Sequence, residues 1–238
     1  SPTSVRSTPW SILAMILLFC IQSVAGGGSN QALQRKLQVQ TSLIWEGIAL
    51  RPGLERLSEM YRISIFLDRR IDPGQKVTFS ANQVPLNALF HQLAEQQDWS
   101  VSFLGPVVYL GPPHAAHMVR TLSALFHDES AVYAPSLREK MKSELPIDWP
   151  VLTVPRDWIT EWTTARRIQV IGLDRVPHDL WPAGHLPAMP LADQLTLLLI
   201  GFDLKYRPAT DSDALELVPI SGEETVTRTY SLQAARHL

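Results

Sequence analysis

The sequence predicts an α+β protein made of two small βαββαβ(β) domains, each with two helices packed against two small sheets, joined by a helical connection. Three observations carry this. In residues 85–103 (PLNALFHQLAEQQDWSVSF), Leu86, Leu89, Phe90 and Leu93 recur on one helical face, and Trp99, Val101 and Phe103 then alternate with Ser100 and Ser102. Residues 190–206 (PLADQLTLLLIGFDLKY) repeat that helix-to-strand step. The landmarks Arg62 and Arg167, and Pro85 and Pro190, stand 105 residues apart.

At 238 residues and 45% hydrophobic, the chain has room for two small cores. A net charge of −2 gives no electrostatic reason to bind nucleic acid or an anionic membrane surface, so neither is an expected partner. Eighteen prolines against twelve glycines point to short elements.

Residues 1–25 are expected to lie outside the fold. The stretch 10–25 is uncharged and ends in small residues, Ser23 and Ala25, before a glycine run, which suits a cleaved secretory signal. It is short for a bilayer crossing, which needs about 20 residues, so retention as an inner-membrane anchor is the alternative and a buried core helix a third. Cys20, the single cysteine, lies inside this segment behind Phe19, the wrong neighbour for a lipoprotein cysteine. No disulfide or thiol chemistry is expected after cleavage. Export follows from the signal reading. The sequence opens on Ser1 rather than methionine, so its true start is expected upstream.

Residues 26–42 read as a polar lead-in, a flexible joint over 26–30 followed by a loose helix. The first copy is placed at 43–111. Residues 43–50 (LIWEGIAL) form its first strand, and Leu54, Leu57 and Tyr61 the stripe of its first helix. Residues 63–67 (ISIFL) are β-branched and aromatic, hence a strand. Asp72, Pro73 and Gly74 make a turn, because proline presets φ and glycine accepts φ > 0. Residues 77–79 form the next strand. The helix-to-strand step follows, and Gly105 and Pro106 turn the chain into a strand at 107–110.

Residues 112–148 read as a helical hairpin that packs on the two units or spaces them apart. Met118, Leu122, Leu125 and Phe126 share one face of its first helix. Ser136 with Glu139 has capping-box form before Leu137 and Met141, and Pro146 stops the second helix. The second copy is placed at 149–220. Trp149 and residues 151–154 match the first strand, Ile159 and Trp162 match Leu54 and Leu57, and 168–174 match 63–68 with one residue added. The second helix is about two residues shorter, which sets Phe202, Leu204 and Tyr206 in the places of Trp99, Val101 and Phe103. The middle strand falls in the proline- and histidine-rich stretch 177–187, and 214–218 is the last strand. Residues 221–238 add a strand (TVTRTYSL) or open a further domain of a longer protein.

The order of elements, together with Leu54 and Leu57, residues 63–68 and above all Pro85, Leu86, Asn87, Ala88 and Leu89, resembles the secretin and TonB N-terminus short domain. That domain heads outer-membrane secretin channels and the signalling extensions of TonB-dependent receptors. The resemblance covers residues 43–110 well and 149–218 more loosely, since Gln194 stands where the pattern wants leucine. It implies two helices sandwiched between two- and three-stranded sheets, a periplasmic location, and docking against neighbours in rings or against a regulator. With no long alternating β region, the chain is not expected to form a pore itself.

The residues offer little chemistry. His114 and His117 have metal-ligand spacing without a third ligand, and solvated surface is the better reading. His178 and His185 bracket Trp181 in an irregular loop. Asp211 and Asp213 read as a hairpin turn, and Asp68 and Asp174 as matched residues turning the backbone after the same strand. No nucleophile elbow, phosphate loop, CxxC or H-E-x-x-H occurs, so no enzyme, cofactor or metal is expected.

Tryptophan is the unusual component. Trp99 and Trp162 sit on apolar stripes. Trp158 lies beside one and Trp181 in a loop, so a partner-contact surface is expected at Trp158, Trp181 and Pro182, where Trp181→Ala would leave the fold intact. Open sheet edges offer a second contact mode, strand addition. The expected function is an exported, non-enzymatic protein–protein interaction module acting in secretion, transport or signalling assemblies, with homo-oligomers an open option. The alternatives are a periplasmic small-ligand or cell-wall binder using the loop 177–187, and a membrane-tethered spacer.

Overall fold

The computed structural model describes residues 26–210 and 212–221. The readings made for residues 1–25, Asp211 and 222–238 lie outside these. The helix expected after residue 30 is present but also takes in the stretch expected as a flexible joint, as α1 (Gly26–Leu37), and strand β1 (Gln40–Ala49) starts three residues before the expected 43. Leu33 and Leu37, one turn apart, are both buried in the first core. Two anchors on one face hold an otherwise polar helix.

The first unit continues through α2 (Leu50–Tyr61), β2 (Ser64–Leu67), β3 (Lys76–Pro85), α3 (Leu86–Gln96), β4 (Ser100–Leu104) and β5 (Val107–Gly111). This is the expected order. β1 pairs antiparallel with β3, while β5 lies between β2, to which it is parallel, and β4, to which it is antiparallel. α2 ends where Arg62 turns left-handed at φ 51, and Gly74 N–H donates to the Asp72 carboxylate in the expected turn. α3 buries Leu86, Leu89, Phe90 and Leu93 completely.

The connection is helical, with α4 (Pro113–Asp128), a 3-10 turn (Ser130–Val132) and α5 (Pro135–Lys142). Both helices start with proline in the first turn, where its missing N–H costs nothing. The capping box does not form. α5 begins two residues earlier than that reading requires, and Ser136 Oγ donates to Asp213 at 2.5 Å instead. Leu137 and Met141 are buried as expected.

The second unit is β6 (Glu144–Trp149), α6 (Pro155–Ala165), β7 (Gln169–Ile171), β8 (Gly184–Pro190), α7 (Leu191–Ile200), β9 (Leu204–Pro208) and β10 (Ala214–Pro219). β6 pairs with β8, and β10 lies between parallel β7 and antiparallel β9, so the first unit's topology recurs. Three expectations are corrected. The first strand is 144–149 rather than 149–154, and Pro146 sits inside it at a register shift between Leu145 and Ile147, where a two-stranded sheet tolerates a missing N–H. Asp98 and Asp203, again 105 apart, are both left-handed at φ 58 and 55, so no deletion separates the copies and Leu204 takes the place of Trp99. Asp68 is buried while Asp174 lies exposed in a 3-10 turn, so the two are not equivalent. Gln194 occupies the place of Leu89 and is buried there, because its Nε2 donates to the Leu145 carbonyl at the β6 irregularity.

Two apolar cores result. One belongs to the first unit and α1. The other runs from Leu104, Val107 and Tyr109 of the first unit through Val119, Leu122 and Phe126 of α4 into the second unit. The hairpin therefore packs on both units. β5 is buried on both faces, and every residue of α7 is buried.

Candidate functional site

The loop after β2 carries Asp68, Arg69 and Arg70; the two arginines reach the second unit, and Asp68 holds Arg70 in place. Asp68 is 1% exposed. It accepts from Arg70 Nε at 2.9 Å and Nη2 at 2.8 Å, from Arg70 N–H at 2.9 Å, and from the Tyr109 hydroxyl. Burial alone would raise its pKa. The hydrogen bonds from Arg70 and Tyr109 outweigh burial and hold it below the usual carboxylate value. Arg70 also donates across to Asp203 at 2.7 Å and to the Ile200 carbonyl at 3.1 Å. Its neighbour Arg69 pairs with Asp179 at 2.6 Å and lies 4.7 Å over the Phe202 ring.

From Phe202 a run of aromatic rings crosses the second unit. Phe202 stacks on Trp181 at 6.0 Å, Trp181 meets Trp149 at 5.6 Å, Trp149 meets Trp158 at 5.7 Å, and Trp158 stacks on Trp162 at 5.6 Å. Arg166 caps the far end, 4.7 Å from Trp162. Gly184 leaves the room that Trp149 fills, since a Cβ there would stand 2.1 Å from its ring. The expected contact surface is corrected accordingly. Trp181 is only 8% exposed, Trp158 is half-buried within the run, and Pro182 alone of the three is exposed, its carbonyl accepting from Trp149 Nε1 at 2.9 Å.

Beside this junction lies a cleft of about 330 Å³. One wall is α2, with Arg51, Leu54, Glu55 and Ser58, and the edge of β2; the other is the loop 179–185 with Leu197 and Leu198 of α7 behind it. Among the described residues β2 ends its sheet, bonded to β5 alone. The loop 177–187 singled out in the sequence thus supplies one wall. Leu180 in it is 53% exposed.

The histidines are not gathered into a site. His114 and His117 are exposed; His114 lies 3.2 Å from Arg70 Nη1, and His185 pairs with Asp148 at 2.7 Å. Among the described residues no group of three or more His, Cys, Asp or Glu could hold a metal, and no helix is long and apolar enough to cross a membrane. Sequence reasoning missed Arg69 and Arg70. Their partners in the second unit, Asp179 and Asp203, stand more than 100 residues downstream, and no local spacing announces such a pair. No model of a known protein family matches the chain, and no curated protein does.

Proposed function

We propose that this chain is an exported, non-enzymatic protein–protein interaction module that resembles the secretin and TonB N-terminus short domain twice over and serves a secretion, transport or signalling assembly. One observation carries the reading. Three of the large aliphatic side chains left exposed, Ile44 on β1, Leu145 on β6 and Ile171 on β7, stand on edge strands. Open edges with exposed apolar side chains invite pairing and are ordinarily blunted by charge or proline; β7 carries neither, whereas β6 is partly blunted by Pro146. Pairs of helices between two- and three-stranded sheets also fit what the resemblance implies. A photo-crosslinking residue placed in turn at Ile44, Leu145 and Ile171 in the producing cells tests this. Discrete protein adducts at one or more edges are expected, from a partner or a second copy; none at any edge would overturn the reading.

The cleft favours a second reading, a periplasmic binder of small molecules or cell-wall fragments, because the loop 177–187 forms one of its walls. Thermal-shift screening with cell-wall fragments would reveal such a ligand as a raised melting temperature. Mass spectrometry of the exported N-terminus decides between a cleaved signal and an anchor at residues 10–25.

A further inference from the structure

The cleft exists only because two units are clasped together, and one of its walls is a strand edge. β2 bonds to β5 on one side. On the other side no hydrogen bond from the second unit reaches it among the described residues, although the loop 179–185 stands across the gap. Its four residues offer an edge of about 13 Å. An edge walled in but unpaired calls for something that supplies backbone donors and acceptors in extended form.

The remaining surfaces narrow the occupant. Leu54 and Leu67 on one side and Leu180 and Pro182 on the other are apolar. Of the charges that line the cleft, Asp68 is tied to Arg70 and Arg69 to Asp179, while Arg51 and Glu55, one helical turn apart on α2, are of opposite sign. The lining therefore carries no charge excess that would select a charged ligand.

We propose that this cleft binds an extended, uncharged peptide segment of a partner protein, its backbone added beside β2 as an outer strand and its alternate apolar side chains set between Leu54 and Leu180. This rests on the interaction reading above and gives it a location and a ligand class. The backbone pairing supplies affinity, and the second unit, clasped by Arg69 and Arg70, supplies the selecting wall.

Short random peptides displayed on phage and selected on the immobilised full chain test it. Enriched peptides are then labelled with fluorescein and followed by anisotropy, beside copies N-methylated at alternate backbone amides. Alternating apolar sequences should be enriched, and methylation, which deletes two or more hydrogen bonds, should weaken binding by about tenfold or more. Ala183→Trp, which fills the cleft from an exposed loop position, should weaken it as much, and amide exchange in residues 64–67 should slow on binding. Leu180→Arg repeats the test should the tryptophan variant fail to fold. Failure to enrich, or binding indifferent to methylation or to both cleft variants, overturns the proposal. Binding lost with Ile171→Lys but not with the cleft variants also ends it, while leaving the interaction reading intact, because strand addition would then occur at β7.

Discussion

Two buried aspartates show how neighbours decide what a carboxylate does to stability. Asp68 is held below its usual pKa by Arg70 and Tyr109 despite burial. Its contribution is therefore fully present above the ordinary carboxylate value and is lost as pH falls through the lower folded value. Asp193 sits at the start of α7 with one side-chain partner, Ser123 Oγ at 2.7 Å, and burial raises its pKa. Its sign is opposite: the ionised form is penalised in the fold, and stability is gained as pH falls through the raised value towards the ordinary one. Asp193→Asn, which keeps an acceptor for Ser123, should be more stable than the parent at neutral pH and should lose that gain in mild acid; urea melts across the range would show it. Asp68→Asn should cost about 1–3 kcal/mol at neutral pH, because it leaves the partly buried Arg70 guanidinium with Asp203 as its remaining carboxylate partner. Trp181 belongs at this scale too. A tryptophan 8% exposed between Phe202 and Trp149 is core, so Trp181→Ala should cost about 3–5 kcal/mol in the same melts.

At the scale of elements, the duplication was legible at two pairs of backbone landmarks, although the equally left-handed pair Asp98 and Asp203 went unread. Arg62 and Arg167 are both left-handed after the first helix of their units, and Pro85 and Pro190 both precede the second. What was not legible depended on a distant cover. Ser100 and Ser102 alternate with Trp99, Val101 and Phe103 as a solvent face should, yet α4 packs on β4 and Ser102 is buried. The aromatic run was equally hidden, because its five rings come from β6, α6, a loop and the turn after α7, so no single period contains them. One pair of left-handed residues, the first at the bulge in β1 and the second in the turn after β6, allows a clean comparison. Gly47 and Leu152, 105 residues apart, are left-handed at φ 59 and 64. A Cβ at Gly47 would meet nothing within 4 Å, so Gly47→Leu isolates the conformational cost, about 1–2 kcal/mol. Leu152 is 68% exposed, and Leu152→Gly should relieve the same strain while freeing the unfolded chain, a net change within about 1 kcal/mol. Thermal melts of the two variants should therefore differ in size although both residues are left-handed; equal losses would mean that Leu152 packs on something its exposure hides.

For the whole molecule, the question is whether two similar units behave as two domains. Separate domains meet through small, polar contacts and unfold independently. Here the three-stranded sheet of the first unit turns one face, with Val107 and Tyr109, into the core that α4, α5 and the second unit complete. Arg69 and Arg70 then tie that unit to the turn after α7. Removing the second unit would uncover a buried tyrosine and leave Arg70 with Asp68 alone. The full chain should accordingly unfold in one calorimetric transition, with calorimetric and van't Hoff enthalpies in agreement. A fragment ending at Gly111 should melt lower and bind a hydrophobic dye. Replacing both Arg69 and Arg70 by alanine should lower the single transition without splitting it, because the shared apolar core, rather than the ion pairs, couples the halves. Two resolved transitions in the full chain would refute that coupling. They would also deprive the cleft of the rigid second wall on which selection of a peptide depends.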